Sequence, residues 1–253
     1  MTNFFTQAFD LTGQTAVVTG GASGIGQAIA ELLAGQGATV AILDRDEAVE
    51  TAAQRLPGGV HFGVRADLRD FANLAGVADM TAQRLGQVDI LVNNAGVAVL
   101  ADATLLTEHE WDATMEINLK APFFLAQAFA RHMIPRGRGR IVNISSQASV
   151  IALDRHVAYC ASKAGVVSMT QVLAAEWARY GITVNAVSPT VVETELGKKA
   201  WAGEVGEAMK RKIPVGRFGR PDEIAALVLY LVSGHAGLMT GENVLIDGGY
   251  TVV

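Results

Sequence analysis

Tyr159 and Lys163 stand four residues apart in AYCASK, and Ser146 precedes the tyrosine by thirteen residues in NISSQ. On a helix, positions i and i+4 share one face. A free tyrosine has a pKa of about 10, and a neighbouring ammonium favours the phenolate. Each unit of lowering corresponds to about 1.4 kcal/mol. A phenol brought nearer neutrality can take the proton of an alcohol or return it to a carbonyl. Ser146 follows the apolar run RIVNI, at a strand end, where open α/β sheets bind their ligands. Its hydroxyl can hold a substrate oxygen and steady the charge developing there. A YxxxK pair alone also occurs on solvated helices, so its weight depends on its company.

That company begins at TGGASGIG (19–26), between a strand-like run and a helix-like one. Gly20 can make the tight turn, Gly24 lets backbone approach a pyrophosphate, and Gly26 permits close helix–strand contact. The helix start, with Ser23 and Ile25, offers free N–H groups and a positive dipole end to phosphate. Asp44 ends the second apolar run, eighteen residues past Gly26. A carboxylate there accepts from both adenosine ribose hydroxyls and repels a 2′-phosphate. Ser23 is uncharged where a basic residue would assist that phosphate. Arg45 pulls the other way, because a guanidinium can pair with it. The balance favours NAD over NADP.

These residues need a frame. Short β-branched runs lie at 15–19, 39–43, 60–64, 89–93, 140–144, 183–187 and 243–247. Helical patterns fall at about 24–35, 70–85, 107–132, 157–180 and 221–233. The strands are continuous apolar runs, the mark of strands covered on both faces. Repeated βα units predict an α/β, doubly wound parallel sheet of about seven strands, with helices on both faces. No linker or repeat divides residues 1–253, so one domain is expected. The segment at about 190–214 has weak periodicity and reads as a partly helical excursion, a candidate lid. The patterns at 157–180 and 115–132 are apolar around the whole cylinder. Such a helix is buried all round, either in the core or against a partner subunit.

Composition removes other classes. The net charge is −5 and no Lys/Arg block tracks a phosphate backbone, so nucleic acid is not an expected partner. The single cysteine, Cys160, excludes an intrachain disulfide and a Cys-ligated zinc site; no metal is expected. The opening MTNFFTQAFDLTG lacks the basic and apolar regions of a signal peptide, and no apolar run is long enough to span a membrane. A soluble cytoplasmic protein is the expectation.

With NNAG at 93–96 and Asn118 in a helix, the set TGxxxGIG, Asp44, Ser146, Tyr159 and Lys163 resembles the short-chain dehydrogenase/reductase family. The resemblance is to its single-domain branch, and it runs from LTGQTAVVTGG to LIDGGY. It implies a Rossmann-type fold and a catalytic tetrad of Asn118, Ser146, Tyr159 and Lys163. Tyr159 would be the general acid/base. Lys163 would lower its pKa and hold the nicotinamide ribose. Ser146 would position the substrate oxygen, and Asn118 would help hold a water linking Lys163 to solvent. Gly20, Gly24, Ile25 and Gly26 match the cofactor loop. Asp67, beside Leu68, matches the adenine-side aspartate, and Asn93 matches the residue above the adenosine. Ala95 and Gly96 permit close passage of backbone and cofactor. Pro189, Val192 and Thr194 match cofactor-side positions after the sixth strand. Thr190 departs from the family, which usually carries glycine there. The family commonly assembles through helices like 107–132 and 157–180, implying a homotetramer or a homodimer.

Ser146, Gln147, His156 and Thr190 are the substrate candidates, with Trp201 in the lid. Neutral hydrogen-bonding groups beside a catalytic serine suit a small polyhydroxylated substrate. SPTVVETELGKKAW and LIDGGYTVV are similar to NAD-dependent sugar-alcohol dehydrogenases of this family. The expected reaction is reversible oxidation of a secondary hydroxyl in a polyol. One alternative is a 3-oxoacyl-acyl-carrier-protein reductase or other ketone reductase, with Arg131, Arg136 and Arg138 docking an acidic carrier. Another is a non-catalytic NAD-binding regulator.

Overall fold

A computed structural model of the protein describes residues 8–195, 197 and 201–253. Seven strands form one parallel sheet: β1 (Thr15–Thr19), β2 (Thr39–Asp44), β3 (Phe62–Arg65), β4 (Ile90–Asn93), β5 (Gly139–Ile144), β6 (Ile182–Pro189) and β7 (Asn243–Ile246). Their spatial order is β3-β2-β1-β4-β5-β6-β7. The helices are α1 (Gly24–Gly35), α2 (Val49–Gln54), α3 (Leu74–Leu85), α4 (Glu108–Met115), α5 (Ala121–Met133), α6 (Val157–Trp177), α7 (Glu204–Lys210) and α8 (Pro221–Val232).

Neighbouring residues of a strand point to opposite faces. Val18, Ile42 and Val92 join one core with Ile29 and Leu33 of α1 and Ile224 and Val228 of α8. Val17, Leu43 and Leu91 join a second with Ala78 of α3, Phe129 of α5 and Leu173 of α6. Both faces are covered, as the unbroken apolar runs require. Each fully buried Val, Leu, Ile or Phe is worth roughly 1.5–3 kcal/mol. The order reverses at β1 and β4, so their carboxyl ends open into a crevice.

Four local differences from the sequence expectation have identifiable causes. β3 starts at Phe62, because His61 uses its ring: Nδ1 accepts from the Val40 N–H of β2 at 3.1 Å. The short helix α2 escapes the periodicity, since six residues span less than two turns. The helix expected over 107–132 is broken by a π-helical turn at Glu116–Lys120. Pro122 explains the location: it has no N–H to donate back to the Asn118 carbonyl, so the α ladder cannot run through. The excursion at 190–214 contains α7, and Met209, Ile213 and Phe218 form a small core of their own with Val191, Trp201 and Tyr250. Residues 1–7 of the opening segment, and 196 and 198–200 of the excursion, lie outside the described residues.

Candidate active site

The β1–α1 turn is shaped by backbone. Gly20 and Gly24 have φ of 63° and 59°, the left-handed region that glycine enters freely. A Cβ on Gly26 would collide with the Gly20 carbonyl and the Asn94 amide. Ser23 caps α1 in extended conformation without a side-chain bond, and the first turn holds no acidic residue. Three N–H groups there, on Gly24, Ile25 and Gly26, precede the first intrahelical bond, from Gln27 to Ser23.

A cleft of about 410 Å³ opens over this turn. Gly20, Ser23, Gly24, Ile25, Asp44, Arg45, Asp67, Leu68, Ala95, Gly96 and Thr194 line it, as expected. Asp44 accepts from the Ala22 and Asp46 N–H groups, both at 3.1 Å, which fixes its carboxylate at the β2 end. Asp67 is held below the usual carboxylate range, first by hydrogen bonds from Arg69. The cleft chemistry fits a dinucleotide: free helix N–H groups suit a diphosphate, and a carboxylate suits a ribose diol.

Besides Tyr159 and Lys163, four expected cofactor residues do not line this cleft. Gly26 packs into the turn itself. Asn93 is buried, and its amide donates to Asn143 Oδ1 at 2.9 Å and the Pro122 carbonyl at 3.3 Å. Asn94 faces the cleft instead and donates to the Thr19 and Gly20 carbonyls, both at 3.0 Å. The strand alternation carries the signal: Asn93 follows Val92, so the two point oppositely. Pro189 and Val192 are buried and absent from the cleft lining. Gln27, Leu43, Ala66, Val97, Ile117 and Glu195 also line the cleft. They are ordinary residue types, carrying no sequence signal.

The four candidate catalytic side chains converge. Lys163 and Tyr159 share a face of α6, with Nζ 5.7 Å from the ring centre. Lys163 Nζ donates to the Ile144 carbonyl at 2.8 Å, and Ser145 Oγ donates to the Lys163 carbonyl at 2.9 Å. These two bonds clamp α6 to the end of β5. Asn118 Oδ1 accepts from the Val97 N–H, and its Nδ2 donates to the Val97 carbonyl, both at 2.8 Å. Nδ2 also donates to Ser162 Oγ at 3.1 Å, and Ser162 Oγ donates to the Tyr159 carbonyl at 2.8 Å. A Cβ on Gly96 would stand 3.3 Å from Asn118 Oδ1 and 3.5 Å from Lys163 Nζ, so Lys163 borders the cleft there. Ser146 is buried, and its Oγ accepts from the Ala148 N–H at 3.1 Å.

The net direction at Tyr159 is upward, against the lowering expected from Lys163. Burial pushes the phenol up, and the hydrogen bond with Ser146 offsets only part of that. The ammonium is directed at the Ile144 carbonyl, and burial brings Lys163 itself down to about 8.

A second cavity, of about 400 Å³, is lined by residues next to Ser146 and Tyr159. Gln147 and His156 line it, as expected, with Val191, Trp201, Met209 and Tyr250. The His156 ring meets the Tyr159 ring edge-on, at 6.0 Å between centres. Thr190 does not line the cavity; its hydroxyl is buried and meets no protein partner. Trp201 packs on Phe218 at 6.0 Å, an anchor for the excursion as well as a wall. Tyr250 was not foreseen. The Asp247 carboxylate accepts from the Gly249 and Thr251 N–H groups and the Thr251 hydroxyl, and so fixes the tail that carries it.

Comparison with known proteins agrees with this architecture. A family model described as enoyl-(acyl carrier protein) reductase matches residues 20–251. An NAD-dependent glycerol dehydrogenase of Listeria innocua is 56% identical over 248 residues, 98% of each chain. A D-threitol dehydrogenase of Mycolicibacterium smegmatis is 51% identical, over 96% of this chain and 95% of that one. A crystal structure of a gluconate 5-dehydrogenase from Burkholderia cenocepacia, in complex with NADP and tartrate, superposes with a TM-score of 0.94. It is 36% identical and the match covers 98% of this chain and 99% of that one. With this sheet, this glycine turn and this tetrad, the chain belongs to the short-chain dehydrogenase/reductase family.

Proposed function

We propose that the protein is an NAD-dependent oxidoreductase that reversibly oxidises a secondary hydroxyl of a small polyol or sugar alcohol. The observation that carries this reading is a tetrad whose members touch the lining of two cavities, Asn118 at Val97 of the dinucleotide cleft and Tyr159 at His156 of a second, smaller-ligand cavity. The names of the glycerol and threitol dehydrogenases support the substrate class. Asp44 at the ribose end supports NAD, and the NADP-bound relative keeps NADP as the second cofactor.

In this mechanism the α1 N-terminus holds the diphosphate and Asp44 holds the adenosine ribose. NAD, when bound, supplies a hydride acceptor. Ser146 donates a hydrogen bond to the substrate oxygen. Tyr159 Oη removes the hydroxyl proton in oxidation and returns it in reduction. Lys163 holds the nicotinamide ribose, and a positive charge nearby favours the phenolate that oxidation requires. Asn118 is a positioning residue: its bonds to Val97 and Ser162 tie the cleft floor to α6.

The carrier-protein alternative is weakened by Arg136. Its guanidinium is committed to Asp89 at 2.8 Å and to the Val88 carbonyl at 2.9 Å. A regulator would have no use for the tetrad. We further propose a cytoplasmic homotetramer, with a homodimer as second choice. Met115, Leu119, Phe123, Gly165 and Met169 form an apolar hollow on the outer surface of α4–α6, suited to a second copy. No helix among the described residues is long and apolar enough to cross a membrane.

The test is formation of reduced nicotinamide with glycerol, threitol and galactitol, using NAD and NADP, beside a 3-oxoacyl thioester with reduced cofactors. Turnover of a polyol with NAD is expected. Turnover of the thioester alone would replace this reading, and tight NAD binding without any turnover would favour the regulator.

A further inference from the structure

The turn that joins the excursion to α8 is tied together by a carboxylate that lines neither cavity. Glu223, in the first turn of α8, accepts from Arg217 through both its oxygens, from Nη2 at 2.6 Å and Nη1 at 2.8 Å. Its Oε2 also accepts from the Arg220 N–H at 2.9 Å. Arg217 Nη1 reaches back to the Phe218 carbonyl at 3.0 Å. Capping of α8 accounts only for the Arg220 bond. The forked pair with Arg217 is the geometry in which a surface ion pair holds its shape. Hydrogen bonds from Arg217 first, and then from the Arg220 N–H, bring the Glu223 pKa down to about 2, so the carboxylate stays charged across the neutral range.

The residues inside this closed turn hold the segment that leaves β6. Phe218 is buried, with its ring against Trp201. Gly219 is bonded through both its N–H and its carbonyl, to Val191 and Glu193. The far end of that segment reaches the dinucleotide cleft. The Thr194 N–H donates to the Val192 carbonyl at 2.8 Å, and a Cβ on Gly24 would stand 3.2 Å from Thr194 Cγ2. Thr194 therefore stands against the glycine turn and forms part of the cleft wall. A turn free to spread at Arg217 would let Gly219 drift, and Thr194 with it.

We propose that Glu223 is a positioning residue for cofactor binding: with Arg217 it holds Gly219 against the segment after β6, and so keeps Thr194 over the glycine turn. This rests on the dinucleotide reading above and assigns that site a support outside its own lining.

The test is the Kd for NAD in the absence of alcohol, measured by calorimetry beside the thermal midpoint. Arg217→Met leaves the α8 cap in place, whereas Glu223→Ala removes both cap and fork. Each is expected to raise Kd by about three- to tenfold, the range for residues that act on a site without touching its ligand. The double variant should be no worse than Glu223→Ala, because the two side chains act as one unit. Glu223→Gln keeps the cap acceptor and loses the charged fork, and should match Arg217→Met. Charge alone predicts otherwise: loss of Glu223 would tighten an anionic dinucleotide, and loss of Arg217 would weaken it. A purely structural role would lower the thermal midpoint and the active fraction, and leave the Kd of the folded protein unchanged. An unchanged Kd in Arg217→Met, opposite shifts in the two single variants, or additive shifts in the double variant would each overturn the assignment. Should Glu223→Ala fail to fold, Arg217→Met and Glu223→Gln decide the matter. Wild-type protein that binds no NAD would remove the dinucleotide reading, and this proposal with it.

Discussion

The two cavities are built by different means. The dinucleotide cleft is made largely of main chain: a left-handed turn at Gly20 and Gly24, an open helix start, and strand ends. The second cavity is made of side chains gathered from four places: the turn after β5, the start of α6, the excursion around α7, and the tail at Tyr250. Main-chain shape is set by a few residues close in sequence. A wall of side chains from distant segments can change identity without altering the fold. The first arrangement suits a ligand common to many enzymes, and the second suits a ligand that varies.

The contrast can be broken most severely at the junction. Tyr159→Phe should lower turnover by about 10²–10⁴-fold while NAD still binds, as seen by quenching of intrinsic fluorescence. Appreciable remaining activity would remove the phenol from the reaction. Lys163 offers the next largest effect. Its folded-state pKa is about 8, below the ordinary 10.5. Between those values the unfolded chain binds more proton than the folded one, so stability gains as pH rises through this window. The gain is up to about 3 kcal/mol. It should be absent in Lys163→Met, as read from the difference between the two urea unfolding curves at pH 7.5 and 10. Equal curves at both pH values would mean that the ammonium is not desolvated.

Smaller changes separate the cavities. Asp44→Ala should move the cofactor preference toward NADP by about 10- to 100-fold, the equivalent of a hydrogen bond to a charged group. It should leave the order of preference among polyols unaltered. Trp201→Ala should do the opposite, raising KM for the polyol by less than about tenfold, or 1.4 kcal/mol, with NAD affinity unchanged. A change in NAD affinity without polyol in Trp201→Ala, or a changed order among polyols in Asp44→Ala, would show that the division is false.

The same division explains what could be read from sequence. The glycine turn, Asp44 and the YxxxK pair were legible because their spacing is dictated by one turn, one strand end and one helix face. Strand positions followed from apolar runs that feed two cores. Tyr250 was not legible, since nothing local marks a tyrosine that meets the α7 excursion through tertiary packing. The exchange of Asn93 for Asn94 was within reach, because β4 alternates and only one of the two can face the cleft. So was the π turn: Pro122 stands four residues after Asn118, where the α ladder needs an N–H. The direction of the Tyr159 shift was not within reach. Proximity to Lys163 was evident, but the Ile144 carbonyl that claims the ammonium was not.

One strip of main chain borders both chambers. Val191 faces the second cavity, Thr194 and Glu195 face the first, and between them Val192 makes a lone bridge to Gly219. The Gly219 N–H donates to the Val191 carbonyl at 2.9 Å, and the Glu193 N–H donates to the Gly219 carbonyl at 2.8 Å. A ligand that settles this strip from one side settles it for the other. Dinucleotide and alcohol should therefore bind with positive cooperativity, each tightening the other's dissociation constant by the same factor, as thermodynamic reciprocity demands.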